Sequence, residues 1–204
     1  MPEDHYFSSA PASASKPHEV ELKLPDLQVT LLADRGVFSS RTVDAGTVEL
    51  LRATPPPPTG GHLLDLGCGY GPIACSLAIR SPAATVWAVD VNERALSLTS
   101  ENAGHLGALN VKAVQPAQVP AGITFDGIWS NPPIRIGKQA LHDLLMTWLI
   151  RLAPEGAAWL VVRQHLGGDS LTRWLCDEGW DASKLASRKG YRILEVRPRT
   201  SEPR

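Results

Sequence analysis

The segment Asn131-Pro132-Pro133-Ile134 sets two carbonyl acceptors side by side, directly after the apolar run Phe125-Asp126-Gly127-Ile128-Trp129-Ser130. The side-chain carbonyl of Asn131 and the backbone carbonyl of Pro132 are those acceptors, and successive prolines fix the backbone angles that aim them. Such a pair suits a planar exocyclic amine. The lone pair of that amine is delocalised into its ring, so a catalyst must hold both protons and turn the nitrogen toward an electrophile. If the electrophile is already strong, alignment and charge stabilisation supply most of the rate and no catalytic histidine is required.

A second segment points to the source of that electrophile. Leu63-Leu64-Asp65-Leu66-Gly67-Cys68-Gly69-Tyr70-Gly71 leads from an apolar strand through three alternating glycines into a helix. Glycines there let the backbone turn tightly and approach a ligand without a Cβ in the way. The spacing is GxGxG, not the GxGxxG of dinucleotide binders, and Asp65 precedes it. A carboxylate at that point attracts an ammonium such as that of S-adenosylmethionine and repels a pyrophosphate, which disfavours a nicotinamide dehydrogenase. Asp90, followed by Val91, ends the next strand, where a carboxylate can accept from both hydroxyls of a ribose. Many proteins of this fold carry an acidic residue after the third strand to meet the adenine amino group. This sequence has Gln115-Pro116-Ala117-Gln118 instead, so Gln115 or the backbone near Ala117 is expected to take that contact.

These segments must be positioned by the elements around them. Val20 to Leu24 and Gln28 to Leu32 read as a hairpin, and Asp44 caps a helix from Ala45 to Ala53 that Pro55-Pro56-Pro57-Pro58 terminates. From His62 onward strands and helices alternate: strands at 62–66, 85–89, 111–114, 125–130, 157–163 and 192–196, helices at 72–80, 93–106, 138–152 and 170–178. This alternation predicts an α/β, Rossmann-like fold, a mostly parallel seven-stranded sheet with helices on both faces, preceded by the small hairpin. Three regions follow: a mobile arm over 1–18, a hairpin and helix over 19–59 packed on the core, and a cofactor-binding domain over 60–204.

Composition narrows the classes. Hydrophobic residues make up 43% and charged residues 20%, which suits one globular core, and the formal charge of −1 excludes binding nucleic acid through bulk charge. Basic residues do cluster after Lys184. Cys68, Cys75 and Cys176 lack CxxC spacing, and the histidines lack metal spacing, so no metal is expected. No long apolar run or signal peptide is visible, and a cytoplasmic protein, not a membrane one, is expected. Trp148, Trp159 and Trp174 read as core residues.

The chain resembles the small-methyltransferase-domain (MTS) family, which includes the ribosomal RNA guanine-N2 methyltransferases of the RsmC type. The matching segments are His5-Tyr6-Phe7-Ser8, Asp34-Arg35-Gly36-Val37-Phe38-Ser39, Val43-Asp44-Ala45-Gly46-Thr47, the glycine loop, and Ser130-Asn131-Pro132-Pro133-Ile134. The resemblance implies S-adenosylmethionine as cofactor, Asn131 to Ile134 as the amine clamp, and the Arg35 to Ser39 segment, with Phe38, over the active site. RsmC-type enzymes carry a further amino-terminal domain without a counterpart in this sequence, so target choice is not inherited. Similar adenine and protein-glutamine methyltransferases place Tyr or Phe at the fourth clamp position. Ile134 offers only apolar contact and favours guanine N2. Arg135 and Lys138, and Arg41 from the flap, are candidates for phosphates beside a flipped base. The expected partner is therefore RNA, ribosomal RNA or a ribosomal subunit, bound by a monomer or weak dimer. A protein-glutamine or small-amine methyltransferase, and a non-catalytic cofactor-sensing or RNA-binding module, remain as alternatives.

Overall fold

The computed structural model describes residues 14–164 and 167–199, with the side chain of Arg135 outside that set. Residues 5–8 and most of the expected arm lie outside the described residues. Its last positions are held: the Lys16 N–H donates to Asp34 Oδ1 at 2.6 Å, and His18 opens the first strand.

Strands β1 (His18–Lys23) and β2 (Gln28–Ala33) pair antiparallel, with His18 opposite Ala33. Alternation buries Val20, Leu22, Leu31 and Ala33 on one face. A lone hairpin is marginal in water, and this one packs its apolar face into the core, bonds Asp26 to Arg80, and is joined to α3 by an amide. Asn102, on helix α3, accepts from the Leu32 N–H at 2.7 Å and donates to the Leu32 carbonyl at 2.9 Å and the Tyr70 carbonyl at 2.8 Å. It extends the ladder of β2 and reaches the glycine loop together. Helix α1 (Ala45–Ala53) follows, capped by Asp44.

The main sheet contains β3 (His62–Leu66), β4 (Thr85–Val89), β5 (Val111–Val114), β6 (Phe125–Ser130), β7 (Leu152–Arg163), β8 (Trp180–Arg188) and β9 (Tyr191–Pro198) in the order β5-β4-β3-β6-β7-β9-β8. β9 runs opposite in direction to the other six strands. Helices α2 (Pro72–Arg80) and α3 (Glu93–His105) join α1 on one face, over Leu63, Trp129 and Val161. Helices α4 (Lys138–Leu149) and α5 (Gly168–Asp177) cover the other, over Leu64, Ile128 and Leu160. The order reverses between β3 and β6, so a crevice opens there at the carboxyl ends of the strands.

Three features differ from the sequence reading. Helix α4 stops at Leu149, and β7 begins at Leu152, because Leu152 pairs with Phe125 before the register shifts. Residues 153–156, which fall between the expected helix and strand, form the irregular part of the strand, where a Cβ on Gly156 would lie 2.8 Å from the Phe125 carbonyl oxygen. Strand β8 has no counterpart in the reading. It is an edge strand with mostly exposed side chains, so its sequence lacks a clear apolar alternation. Trp148 and Trp159 are core, but Trp174 is half-buried, stacked on His142 with ring centroids 3.5 Å apart.

Asn102→Ala strands the N–H and carbonyl of Leu32, and an expected loss of about 3 kcal/mol follows from leaving such groups unpaired. Urea unfolding measures it, and a change below about 1 kcal/mol would mean that water replaces the amide.

Candidate active site

One half of the site, where the sequence places the cofactor contacts, is built by β3, β4 and the loop between β3 and α2. Gly67, Gly69 and Gly71 all have positive φ, at 78°, 57° and 88°, a conformation that side chains with a Cβ rarely adopt. The loop is fastened to β4: the N–H groups of Gly67 and Cys68 both donate to the Val89 carbonyl, at 2.8 and 3.0 Å. Asp90 completes the joint. Its Oδ2 accepts from the Gly69 N–H and its Oδ1 from the Asn92 N–H, both at 2.9 Å. Burial pushes the Asp90 carboxyl up, opposed by the N–H groups of Asn92, Gly69 and Val91. Asn92 in turn donates to the Gly36 carbonyl at 2.8 Å, and Arg94 to the Arg35 carbonyl at 2.7 Å, which ties the 34–39 segment over the crevice.

The resulting crevice has a volume of about 590 Å³, within the range of small-molecule sites. Gly67, Gly69, Asp90 and Val91 line it, as do Phe38 and the whole of Asn131 to Ile134. Cys68 lies against a small adjoining cavity beside Asn131, and Gly71 starts α2 without lining either. Burial, then the charges of Asp90 and Asp65, raise the Cys68 thiol, so it is no nucleophile. Gln115 and Ala117 do not line the crevice. Pro116 between them does, because Gln115 is drawn away to Glu93 and to its capping box with Gln118. Arg41 and Lys138 are exposed and outside the lining, and the Arg135 side chain falls outside the described residues.

Asp65 differs from expectation. Leu64 and Leu66 face α4, so alternation turns Asp65 to the other side, beneath the first turn of α2. It is fully buried and absent from the lining, with Oδ2 accepting from the Ala74 N–H at 2.9 Å and Oδ1 unpartnered. Burial pushes its pKa up to about 8, against the pull of the Ala74 N–H and with a further rise from Asp90. It supports the loop from below.

On the other half, Asn131 leaves the end of β6 and its Nδ2 donates to Asp44 Oδ1 at 2.8 Å and Thr47 Oγ1 at 3.1 Å. A carboxylate only accepts, so the amide nitrogen must face α1, and Oδ1 is the atom left to accept from something else. Ala140, Leu144 and Trp148, one turn apart on α4, form an apolar wall with Ile136. Tyr191 and Arg163 close the side toward β7 and β9. Sequence reasoning missed Thr47, Tyr191 and Arg163, and took Asp44 only as a helix cap. The four-residue spacing along α4 was the one local signal for the apolar wall.

A parallel sheet of this order, with a glycine turn at its switch point and an acidic residue closing the next strand, defines a Rossmann-like S-adenosylmethionine-dependent methyltransferase. Residues 28–195 match the family described as methyltransferase small domain. The chain belongs to that family. It is 36% identical over 197 residues to the uncharacterised protein YbxB of Bacillus subtilis, covering 95% of this chain and 98% of that one. It is 38% identical over 155 residues to ribosomal RNA small subunit methyltransferase C of Shewanella piezotolerans, covering 72% of this chain and 44% of that one. Among solved structures, the T. thermophilus 16S rRNA N2 G1207 methyltransferase (RsmC), in complex with AdoMet and guanosine, has a TM-score of 0.76 at 24% identity. That likeness, over 92% of this chain and 51% of the other, bears on the fold. The chain thus spans about half the length of the ribosomal RNA methyltransferases it matches. No helix among the described residues is long and apolar enough to cross a membrane.

The raised pKa of Asp65 has a pH consequence. In the unfolded chain this carboxyl titrates near its ordinary 3.8, in the folded chain near 8, so between these values the folded state binds more protons. Stability from this group therefore falls as pH rises from about 4 to about 8 and is level above. Asp65→Asn keeps an acceptor for Ala74 and removes the titration. Relative to this variant, the parent is expected to lose stability across that window in urea unfolding, and a difference independent of pH contradicts the buried, protonated state.

Proposed function

We propose that this protein transfers the methyl group of S-adenosylmethionine to an exocyclic ring amine, the N2 of a guanine in ribosomal RNA. The observation that carries the reading is the orientation of the Asn131 amide. With its nitrogen engaged by Asp44 and Thr47, its Oδ1 joins the Pro132 carbonyl as a pair of acceptors for the two protons of one amine. Holding both protons turns the nitrogen lone pair out of conjugation and stabilises the positive charge that develops on it.

The residues present fit the cofactor. Asp90 closes β4 with its two oxygens toward the crevice and the loop, Val91 and Pro116 supply apolar contact for a flat base, and Gly67 and Gly69 leave space that a Cβ would narrow. When bound, the cofactor supplies an electrophilic methyl group on a sulfonium. Phe38, 40% exposed at the mouth of the crevice, offers a ring for stacking where Ile134 offers only apolar contact. Apolar walls from α4 exclude water from the reacting amine. Arg41 and Lys138 stand outside the lining, so their contacts with RNA fall beyond the target nucleotide.

The choice of guanine in ribosomal RNA is supported by the relatives, among which the Shewanella enzymes are ribosomal RNA methyltransferases and the T. thermophilus one was solved with guanosine. Incubation with labelled cofactor and either ribosomal RNA or a protein extract separates the substrates. Label in guanine N2 of the RNA is expected, and label in protein alone overturns the assignment.

Asn131→Ala should lower kcat by roughly 10²- to 10³-fold, the usual effect of removing a hydrogen-bond partner of the transition state, with cofactor binding unchanged. Asp44→Ser tests the orientation separately. Serine retains a capping oxygen, so stability should stay within about 1 kcal/mol, while misdirection of Asn131 should slow turnover roughly tenfold to a hundredfold. Full turnover in Asn131→Ala would sink the clamp.

A further inference from the structure

Among the described residues, Arg163 is the single Lys or Arg that lines the crevice. It is the last residue of β7, is exposed, and makes no ion pair with any described carboxylate. Its guanidinium instead lies over the Tyr191 ring, 5.3 Å from the centroid. Being exposed and without a described carboxylate partner, the guanidinium keeps its donors available to an anion that enters the crevice.

Its position says which half of the crevice it serves. Ser130 pairs with Leu160, so Asn131 continues opposite Val161 and Arg163 stands two residues further along β7, roughly 7 Å at the rise of a strand. Trp159 and Val161 pack on the α1 face, and alternation puts Arg163 there too, on the face where Asn131 meets Asp44. Across the carboxyl edge of the sheet the order is Asp90 on β4, the glycine loop on β3, Asn131 on β6, then Arg163 on β7. Arg163 is thus on the far side of Asn131 from the cofactor half, beside whatever Asn131 holds. The row continues outward: Arg163 pairs with Tyr191, and Tyr191 with Arg188, an exposed arginine on the edge strand. Nearby Lys189 is occupied by Glu49 at 2.9 Å, and Asp44 is occupied by its donors.

We propose that Arg163 is a phosphate subsite: it grips the phosphodiester beside the target nucleotide, with Tyr191 holding its guanidinium flat and Arg188 meeting the RNA backbone farther out. A planar fork of donors matches two phosphate oxygens, and a ring beneath it restricts the fork to one plane. The subsite rests on the RNA reading above and deepens it, because it makes the crevice select a nucleotide within a chain over a free nucleoside or a small amine.

The test measures equilibrium binding of the four ribonucleosides and their 5′- and 3′-monophosphates to the full chain loaded with S-adenosylhomocysteine. The parent should prefer at least one monophosphate series roughly tenfold, the effect of one charge-assisted pair. Arg163→Gln should abolish that preference while leaving nucleoside and S-adenosylhomocysteine affinities unchanged. Arg163→Lys, which keeps charge and loses the fork, should fall between. Arg188→Gln should leave mononucleotides unaffected and lower the salt dependence of RNA binding by about one phosphate contact. Equal affinity for nucleosides and monophosphates in the parent overturns the proposal, as does a preference that survives Arg163→Gln or a loss of cofactor affinity in that variant. The RNA reading is judged separately by the fraction that gains label, whereas the phosphate preference, measured for all four bases, judges Arg163.

Discussion

Oδ1 of Asp44 accepts three hydrogen bonds, from the N–H groups of Gly46 and Thr47 at 2.8 and 3.2 Å and from Asn131 Nδ2 at 2.8 Å. The first two start helix α1, and the third crosses 87 residues of sequence to the exit of β6. Its charge lies at the positive end of the α1 dipole, where a carboxylate is stabilised. The same turn leaves no room for a side chain on Gly46, whose Cβ would sit 2.7 Å from the Tyr191 ring. Tyr191 is therefore held against α1, and Arg163 lies on Tyr191. Clamp, ring and cation are thus fixed relative to one oxygen atom.

The cofactor half repeats the device with a different carboxylate. Asp90 joins the glycine loop to the start of α3 through Gly69 and Asn92, and Asn92 holds Gly36 of the segment that passes over the crevice. Both acids accept from backbone N–H groups, and at Asp90 these oppose the upward push of burial. Asp65 is the contrast. It has one N–H donor and an unpartnered oxygen in a fully buried position, and its proton is retained as a result. Groups left uncompensated in this way concentrate at functional sites, where the loop they support must hold an unusual conformation.

Local patterns in the sequence were enough for most of the fold. Strands β3 to β6 and helices α1 and α2 follow from apolar period, caps and breakers, all of which act within a few residues. Where a partner distant in sequence decides the conformation, local reading fails: β7 begins at Leu152 because Phe125 pairs with it, and β8 is a strand because β9 lies beside it. The site divides in the same way. The glycine loop, Asp90 and Asn131 to Ile134 are contiguous motifs, so their types and spacing are visible. The contact of Asp44 and Thr47 with Asn131, and the row from Arg163 through Tyr191 to Arg188, exist only after the sheet has assembled. Nothing in the neighbours of Arg163 along the chain distinguishes it from other surface arginines.

Every residue lining the crevice falls between Val37 and Tyr191, inside the 28–195 span that the family shares. The chemistry of the crevice therefore belongs to the shared domain, and discrimination among targets must come from residues at its rim. A cavity of about 590 Å³ with apolar walls on α4 has the size of a small-molecule site. A paired nucleic-acid helix is too wide for such a cavity and would meet the rim first. Under the proposed function the target base must then be unpaired or extruded, at a cost of about a few kcal/mol for a stacked base. Contacts confined to the base cannot offset that cost and also fix the amine within reach of the methyl group. A phosphate grip on the far side of Asn131 meets both needs, because it binds a group every nucleotide carries and sets the distance from backbone to clamp. Under the two proposals this division would let Asn131 act on geometry alone while Phe38, Ile134 and Arg163 decide what reaches it.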